Sequence, residues 1–255
     1  MLNLRKYLYG LILSTLFAYK YTYSQNTSTF CTDMFLVPLT CTLVFAIQLT
    51  KFSEENITGG FVAGLLYSVS YCKFIDGCNK FNIEFSLLIN CAGLYIASLF
   101  KFLISDRKSL SASHLSMYLL FVLIISVFIL KDKEFDGIKI VLSGHNNFFS
   151  IVSYVSYTVV ANIFTNEMGI KNFLALSSYP QLVIFLVCAC FFRINSIYTE
   201  PLVDNIIYYI VSLLTYIGTV AYVQMYGIIT TNTLHLSNLL IYILLIYSKK
   251  LIKIF

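Results

Sequence analysis

The chain has 255 residues, of which 58% are hydrophobic and only 11% are charged, and its mean hydropathy is +0.80. Soluble domains are about 45–50% apolar and about 25% charged, so this composition excludes an ordinary soluble enzyme, a disordered chain, a coiled coil and a nucleic-acid-binding domain. The net charge of +5 is modest and is typical of the Lys and Arg bias of cytoplasmic loops. The sequence therefore predicts a polytopic bundle of membrane helices.

The first apolar segment, residues 1–24, has a basic head at Arg5 and Lys6 followed by an apolar run. Signal peptides share this order, but Lys20 and Tyr21 make a poor cleavage site, because such sites need small residues. We therefore predict an uncleaved first span. Each span needs about 20 apolar residues, and eight further spans are predicted at residues 33–51, 59–75, 83–105, 115–131, 147–166, 172–192, 205–226 and 231–248.

The orientation of the chain follows from its basic residues. Arg5 and Lys6 place the N-terminus in the cytosol. Lys249, Lys250 and Lys253 favour the cytosol for the C-terminal tail as well, whereas nine spans put the two ends on opposite sides. Either one span is miscounted or one segment is re-entrant.

Motifs for membrane-embedded catalysis are missing from the sequence. It contains no HExxH, no paired acidic motif and no set of Ser, His and Asp that its spacing would bring together. The three histidines, His114, His145 and His235, are isolated, and each fits a loop or interfacial position better than a catalytic one. We therefore expect no enzyme activity, no cofactor and no metal site.

Polar side chains are spread one or two per helix within the apolar segments. Taken singly, each can hydrogen-bond a neighbouring helix, and a lysine can extend to the lipid headgroups. Taken together, they form the pattern expected around a central pathway for a solute. These residues are Lys20, Gln48, Asn90, Lys101, Asn162, Gln181, Gln224 and Asn238.

Several segments resemble the nucleotide-sugar transporters of the drug/metabolite transporter superfamily. Residues 14–24 (STLFAYKYTYS) are similar to the end of the first helix of that family, where an Asn-Lys pair stands in place of Tyr19-Lys20. Residues 35–49 resemble its second helix, and residues 82–130 resemble its third to fifth helices, with Lys101 within a span.

The second half of the chain extends the resemblance, most specifically to the GDP-mannose transporter branch. The stretch Ser178-Tyr179-Pro180-Gln181 falls where that branch carries Phe-Tyr-Asn-Asn, and residues 230–239 (TTNTLHLSNL) fall where it carries Gly-Ala-Leu-Asn-Lys. Tyr179 and Asn238 match recognition positions of the family, Gln181 is a substitute amide, and Leu239 replaces the lysine.

The resemblance implies a fold and a function. The family has ten helices in two inverted repeats of five, so we expect about 9–10 spans, with repeats at residues 1–131 and 132–255 and one helix lost near the C-terminus. The implied activity is alternating-access exchange of a nucleotide sugar or sugar phosphate in the Golgi or endoplasmic reticulum. The implied substrate-binding residues are Lys20, Lys101, Tyr179, Gln181 and Asn238.

In this interpretation the lysines attract a phosphate, Tyr179 contacts a base or sugar, and the amides read polar edges. The expected partners are membrane lipids, a small phosphorylated solute and other copies of the chain in a homo-oligomer, without nucleic acid. Two alternatives remain open. The first is a non-transporting membrane protein, such as a subunit of a complex or a degenerate transporter homologue, and the second is a membrane-embedded transferase.

Overall fold

The structure is built from helices. The computed structural model describes residues 2–23, 31–45, 52–80, 83–105, 137–192 and 202–252. Within these helices and connections, side chains are described for residues 4–22, 31–45, 52–80, 83–97, 137–187, 206–227 and 237–246. No strand occurs in these ranges, which confirms the predicted all-α class for the part of the chain that they cover.

Seven helices follow one another along the described chain. They are α1 (Leu2–Tyr23), α2 (Thr32–Val44), α3 (Glu54–Lys80), α4 (Ile83–Ser105), α5 (Gly137–Met168), α6 (Ile170–Phe192) and α7 (Leu202–Ile252). Helix α7 is broken at Gly227, whose φ of 77° and ψ of 175° are not helical. The helix therefore consists of two parts on either side of Gly227, which contain the apolar stretches Ile206–Gly227 and Ser237–Ile246.

The helices overlap the predicted segments, but α3 and α5 extend beyond the predicted 59–75 and 147–166, and His145 lies within α5. Segments 205–226 and 231–248 correspond to the two parts of α7, and the predicted first span corresponds to α1. Segment 115–131 lies outside the described residues, as does the predicted boundary between the two repeats at residues 131 and 132.

Within the described part of the chain, three helices are long and apolar enough to cross a membrane: Gly137–Met168, Ile170–Val187 and Ile206–Gly227. Helix α5 shows how such a helix is oriented. Its exposed face carries Val141, Phe148, Val152 and similar apolar residues, whereas Ser143 and Asn147 lie buried on the opposite face. Apolar residues outside and polar residues inside reverse the order of a soluble helix, and this pattern indicates a membrane protein.

Helix α3 is the centre of the bundle and packs most extensively against α5. The two helices are antiparallel, because Ser70 contacts Ser150 while Gly77 contacts Ser143. On its other side α3 packs against α6, where a Cβ at Gly64 would overlap the carbonyl oxygen of Ser177. Small residues thus let the backbones approach closely, as is common between membrane helices.

Helix α1 closes the bundle by packing along α7. The Tyr9 hydroxyl donates to the carbonyl of Gly218 at 3.2 Å, and the Tyr9 ring lies 5.7 Å from that of Tyr222. Further along α1, Ala18 and Tyr21 pack with Tyr242 of the second part of α7. The break at Gly227 therefore brings both parts of α7 against the same helix.

Candidate functional site

A cavity of about 80 Å³ lies at the centre of the bundle between α1, α3, α4, α5 and both parts of α7. Its wall combines aromatic rings with polar side chains. The aromatic residues are Phe17, Tyr21, Tyr67, Tyr71, Phe74, Tyr154 and Tyr216. The polar residues are Lys20, Ser70, Asn90, Ser150, Thr215, Thr219 and Asn238.

A buried ion pair stands at one side of this cavity. The Nζ atom of Lys20 lies 2.9 Å from Oδ1 of Asp33, and the two side chains are only 8% and 2% exposed. Oδ2 of Asp33 accepts hydrogen bonds from the hydroxyls of Tyr71, at 2.5 Å, and Tyr208, at 2.8 Å. Helices α1, α2, α3 and α7 therefore meet at one carboxylate.

The local backbone explains how Asp33 is presented. Residues Thr32–Leu36 form one widened π-helical turn, in which the Val37 N–H donates to the carbonyl of Thr32. Pro38 follows directly, and proline has no N–H to give to the preceding turn. Single π turns of this kind occur often at functional sites.

Asn238 contributes an amide without a hydrogen-bonding partner. Its side chain is 1% exposed, and neither its nitrogen nor its oxygen has a partner among the described residues. Leaving a buried polar group unpaired costs about 1–3 kcal/mol, so such a group needs an explanation. Asn238 is also one of the residues that line the cavity.

A polar network extends from the cavity between α3, α4 and α5. Asn90 donates to Oδ1 of Asn147 at 2.9 Å, and Asn147 in turn donates to Oγ of Ser86 at 3.1 Å. Asn147 is fully buried and packs against Gly77, where a Cβ would come within 2.5 Å of its amide nitrogen. These groups satisfy one another and hold the helices together.

The structure brings two of the five predicted binding residues to the same cavity. Lys20 and Asn238 both line it, from α1 and from the second part of α7. Gln181 lies behind the wall, fully buried, and donates to the hydroxyl of Tyr216 at 2.7 Å. It therefore supports a cavity residue without reaching the cavity itself.

The other two predicted residues are not brought to the cavity. Tyr179 is 41% exposed on α6 and is not among the lining residues. Lys101 belongs to α4, but its side chain lies outside the described residues.

Asp33 is a residue of this site that the sequence pattern did not predict. It stands at the beginning of a predicted span, where a carboxylate normally faces the lipid headgroups, so its position does not mark it as a polar residue within a helix. An acidic residue adjoining an apolar run was the available signal. The sequence does not distinguish its partners, Tyr71 and Tyr208, from the other tyrosines, because 20 tyrosines are distributed along the chain.

The residue types at the cavity determine which contacts it can offer to a ligand. No group of three or more His, Cys, Asp or Glu side chains that could hold a metal ion occurs among the described residues. Aromatic rings give the lining flat apolar surfaces, and Lys20 and Asn238 add polar side chains to it. Comparison of the chain with protein-family models, with curated proteins and with solved structures gave no match.

Proposed function

We propose that this protein is a multi-pass membrane transporter that exchanges a nucleotide sugar or a sugar phosphate for a nucleotide or phosphate by alternating access. The observation that carries the proposal is the central cavity, which is lined by aromatic residues together with Lys20 and with Asn238, whose amide has no hydrogen-bond partner among the described residues. Binding sites at the centre of a helix bundle, formed next to broken helices, are characteristic of secondary transporters.

Each group has a role in this mechanism. Lys20 pairs with a phosphate of the solute, since an ammonium group attracts phosphate as a point charge. Asn238 bonds a polar edge of the base or sugar, and tyrosine rings such as Tyr154 stack on its flat faces. Gln181 and Ser177 hold the Tyr216 hydroxyl in place.

The small size of the cavity corresponds to one conformational state of the proposed mechanism. Pockets for drug-sized ligands are about 300–1,000 Å³, so a cavity of about 80 Å³ holds only part of a nucleotide sugar. In the proposed mechanism this is a closed state, and the bundle opens to one side at a time. The second part of α7 can move about the break at Gly227, and we propose two inverted repeats of about five helices as the moving units.

The proposed compartment is the Golgi or the endoplasmic reticulum, where such exchange supplies glycosylation reactions. In this proposal the chain is surrounded by membrane lipids, either as a single copy or as part of a homo-oligomer. Tyr179, on the exposed face of α6, and Lys101, on α4, belong to this proposal as contacts made in another state of the cycle.

Liposome exchange tests the proposal. Purified protein is reconstituted into liposomes that contain nucleoside monophosphates, and a panel of labelled nucleotide sugars and sugar phosphates is added outside. Saturable uptake that depends on the internal nucleotide supports an exchanger and identifies its substrate. Asn238→Ala should reduce uptake at least tenfold, whereas Asn166→Ala, at an exposed asparagine of α5, should leave it unchanged.

The second candidate is a non-transporting membrane protein that only holds partners. The small cavity favours it, as does the pairing of Lys20 with Asp33, which neutralises the lysine. Absence of uptake for the whole panel, from protein shown to be monodisperse and inserted, would favour this candidate over exchange. Affinity capture of partners from membranes would then identify what it holds.

A further inference from the structure

The two oxygens of Asp33 have different surroundings. Oδ2 accepts two hydrogen bonds from tyrosine hydroxyls, those of Tyr71 and Tyr208. Oδ1 accepts no hydrogen bond, and its single partner among the described residues is the ammonium group of Lys20 at 2.9 Å. If Lys20 turned towards another anion, Oδ1 would therefore lose its one partner among the described residues.

The ammonium group of Lys20 cannot form a full ion pair with Asp33 and with a solute phosphate at the same time. The pair is neutral in the closed state, so a phosphate that recruits Lys20 brings uncompensated negative charge into a buried site. Removing one partner of a buried pair costs about 3–5 kcal/mol, and a lone charge within a membrane is costly as well. A proton on Asp33 would neutralise the carboxylate that Lys20 leaves when it turns to the phosphate.

We propose that binding of a phosphorylated solute at Lys20 is coupled to uptake of one proton at Oδ1 of Asp33. This inference rests on the proposed transport function and assigns its coupling. The ion pair between Lys20 and Asp33 breaks, an ion pair between Lys20 and the phosphate forms, and a proton from the water on the open side bonds to Oδ1. Lys20 keeps its own proton, and Oδ2 keeps its two hydrogen bonds.

Other groups near Asp33 do not replace it in this role. Phenols and thiols are neutral near pH 7 and cannot take up a proton to become neutral. Helix α6 presents the apolar ring of Phe185 to the cluster that contains Met34, next to Asp33. The titratable neighbours in the described part of the chain are Lys20 and Tyr21 of α1, Cys31 of the same segment, Tyr67, Tyr71 and Cys72 of α3, and Tyr208 of α7.

Calorimetry of the full chain in lipid nanodiscs tests the coupling. UDP-glucose, GDP-mannose and glucose 1-phosphate serve as probes between pH 7.5 and 8.5, where phosphate esters with a second pKa of about 6 are already deprotonated. Titrations in two buffers of different ionisation enthalpy give the number of protons taken up. We expect about one proton per bound probe, with affinity falling about tenfold per unit rise in pH.

Variants assign the proton to one carboxylate. Asp33→Asn should bind the probe without proton uptake and with an affinity independent of pH, while Lys20→Met should lose binding. Asp76→Asn is the matched control, because Asp76 forms a pair with Lys73 at 4.0 Å but both side chains are largely exposed. It should behave as the original protein does.

The outcomes separate this inference from the function on which it rests. Binding without proton uptake, or binding that depends on sodium in place of pH, overturns the coupling and leaves transport standing. Failure of monodisperse protein to bind any probe overturns both. If Asp33→Asn does not fold, the proton count of the original protein decides the matter alone.

Discussion

Ser70 and Ser150 hold each other's helix by a reciprocal pair of hydrogen bonds: each Oγ donates to the other residue's backbone carbonyl at 2.9 Å. The pair fixes the register of α3 against α5 at a point where both serines line the cavity. Because serine is small, the two backbones approach closely enough for both bonds to form. The cavity is therefore supported by polar contacts between its walls.

Loss of the hydrogen bonds between Ser70 and Ser150 should lower the free energy of unfolding only slightly. Ser70→Ala removes one interhelical hydrogen bond, and such bonds in membranes contribute about 0.6 kcal/mol on average and about 1.7 kcal/mol at most. We expect Ser70→Ala and Ser150→Ala each to lower thermal stability slightly. The loss in the double variant should differ from the sum of the two single losses. Size-exclusion thermostability in detergent measures this, with the half-buried Ser156→Ala on α5 as control. Full additivity would contradict the reciprocal pairing.

The two buried asparagines should respond in opposite ways to substitution. Asn147→Ala leaves partners of a satisfied network unpaired and should lower stability by about 1–3 kcal/mol. Asn238→Ala removes an amide that has no described partner, so stability should stay unchanged or rise while solute binding weakens. Thermal unfolding with and without solute measures both effects. An equal loss of stability in the two variants would show that Asn238 is structural.

Substitutions at the buried pair of Lys20 and Asp33 should have non-additive effects on the free energy of unfolding. Lys20→Met and Asp33→Asn should each lower the free energy of unfolding by about 3–5 kcal/mol, because each leaves one buried polar partner uncompensated. The double variant should lose less than the sum of the two, since it buries no lone charge. The cycle is measured by thermal unfolding, and Lys73→Met with Asp76→Asn provides the exposed comparison, expected to contribute about 0–1 kcal/mol. Additive losses at the buried pair would contradict the contact.

The break in α7 should depend on glycine. Gly227 has a φ of 77° and a ψ of 175°, which costs a residue with a Cβ about 1–3 kcal/mol. Gly227→Ala should lower stability by that amount and reduce exchange, because straightening the helix removes Asn238 from the cavity. Gly144→Ala is the control, since α5 has open space at that position and alanine favours a helix there. Equal stability of the two variants would show that the break does not need glycine.

The sequence alone determined the helical class and the position of most helices. Long apolar runs in a chain with 11% charged residues leave few other ways to satisfy the backbone, so segments such as 83–105 and 172–192 were identified correctly. It also singled out Lys20 and Asn238, since polar residues in such runs are few.

Only the tertiary structure decided which polar groups meet. Lys20 and Asn238 are 218 positions apart, and their common cavity depends on how α1 and the second part of α7 pack after the break at Gly227. Tyr179 and Gln181 are two residues apart, yet one is exposed and the other buried, because residues two apart on a helix point in different directions. No periodicity in the sequence predicts the pairing of Lys20 with Asp33 either. The pair depends on a contact between two helices and on one widened turn.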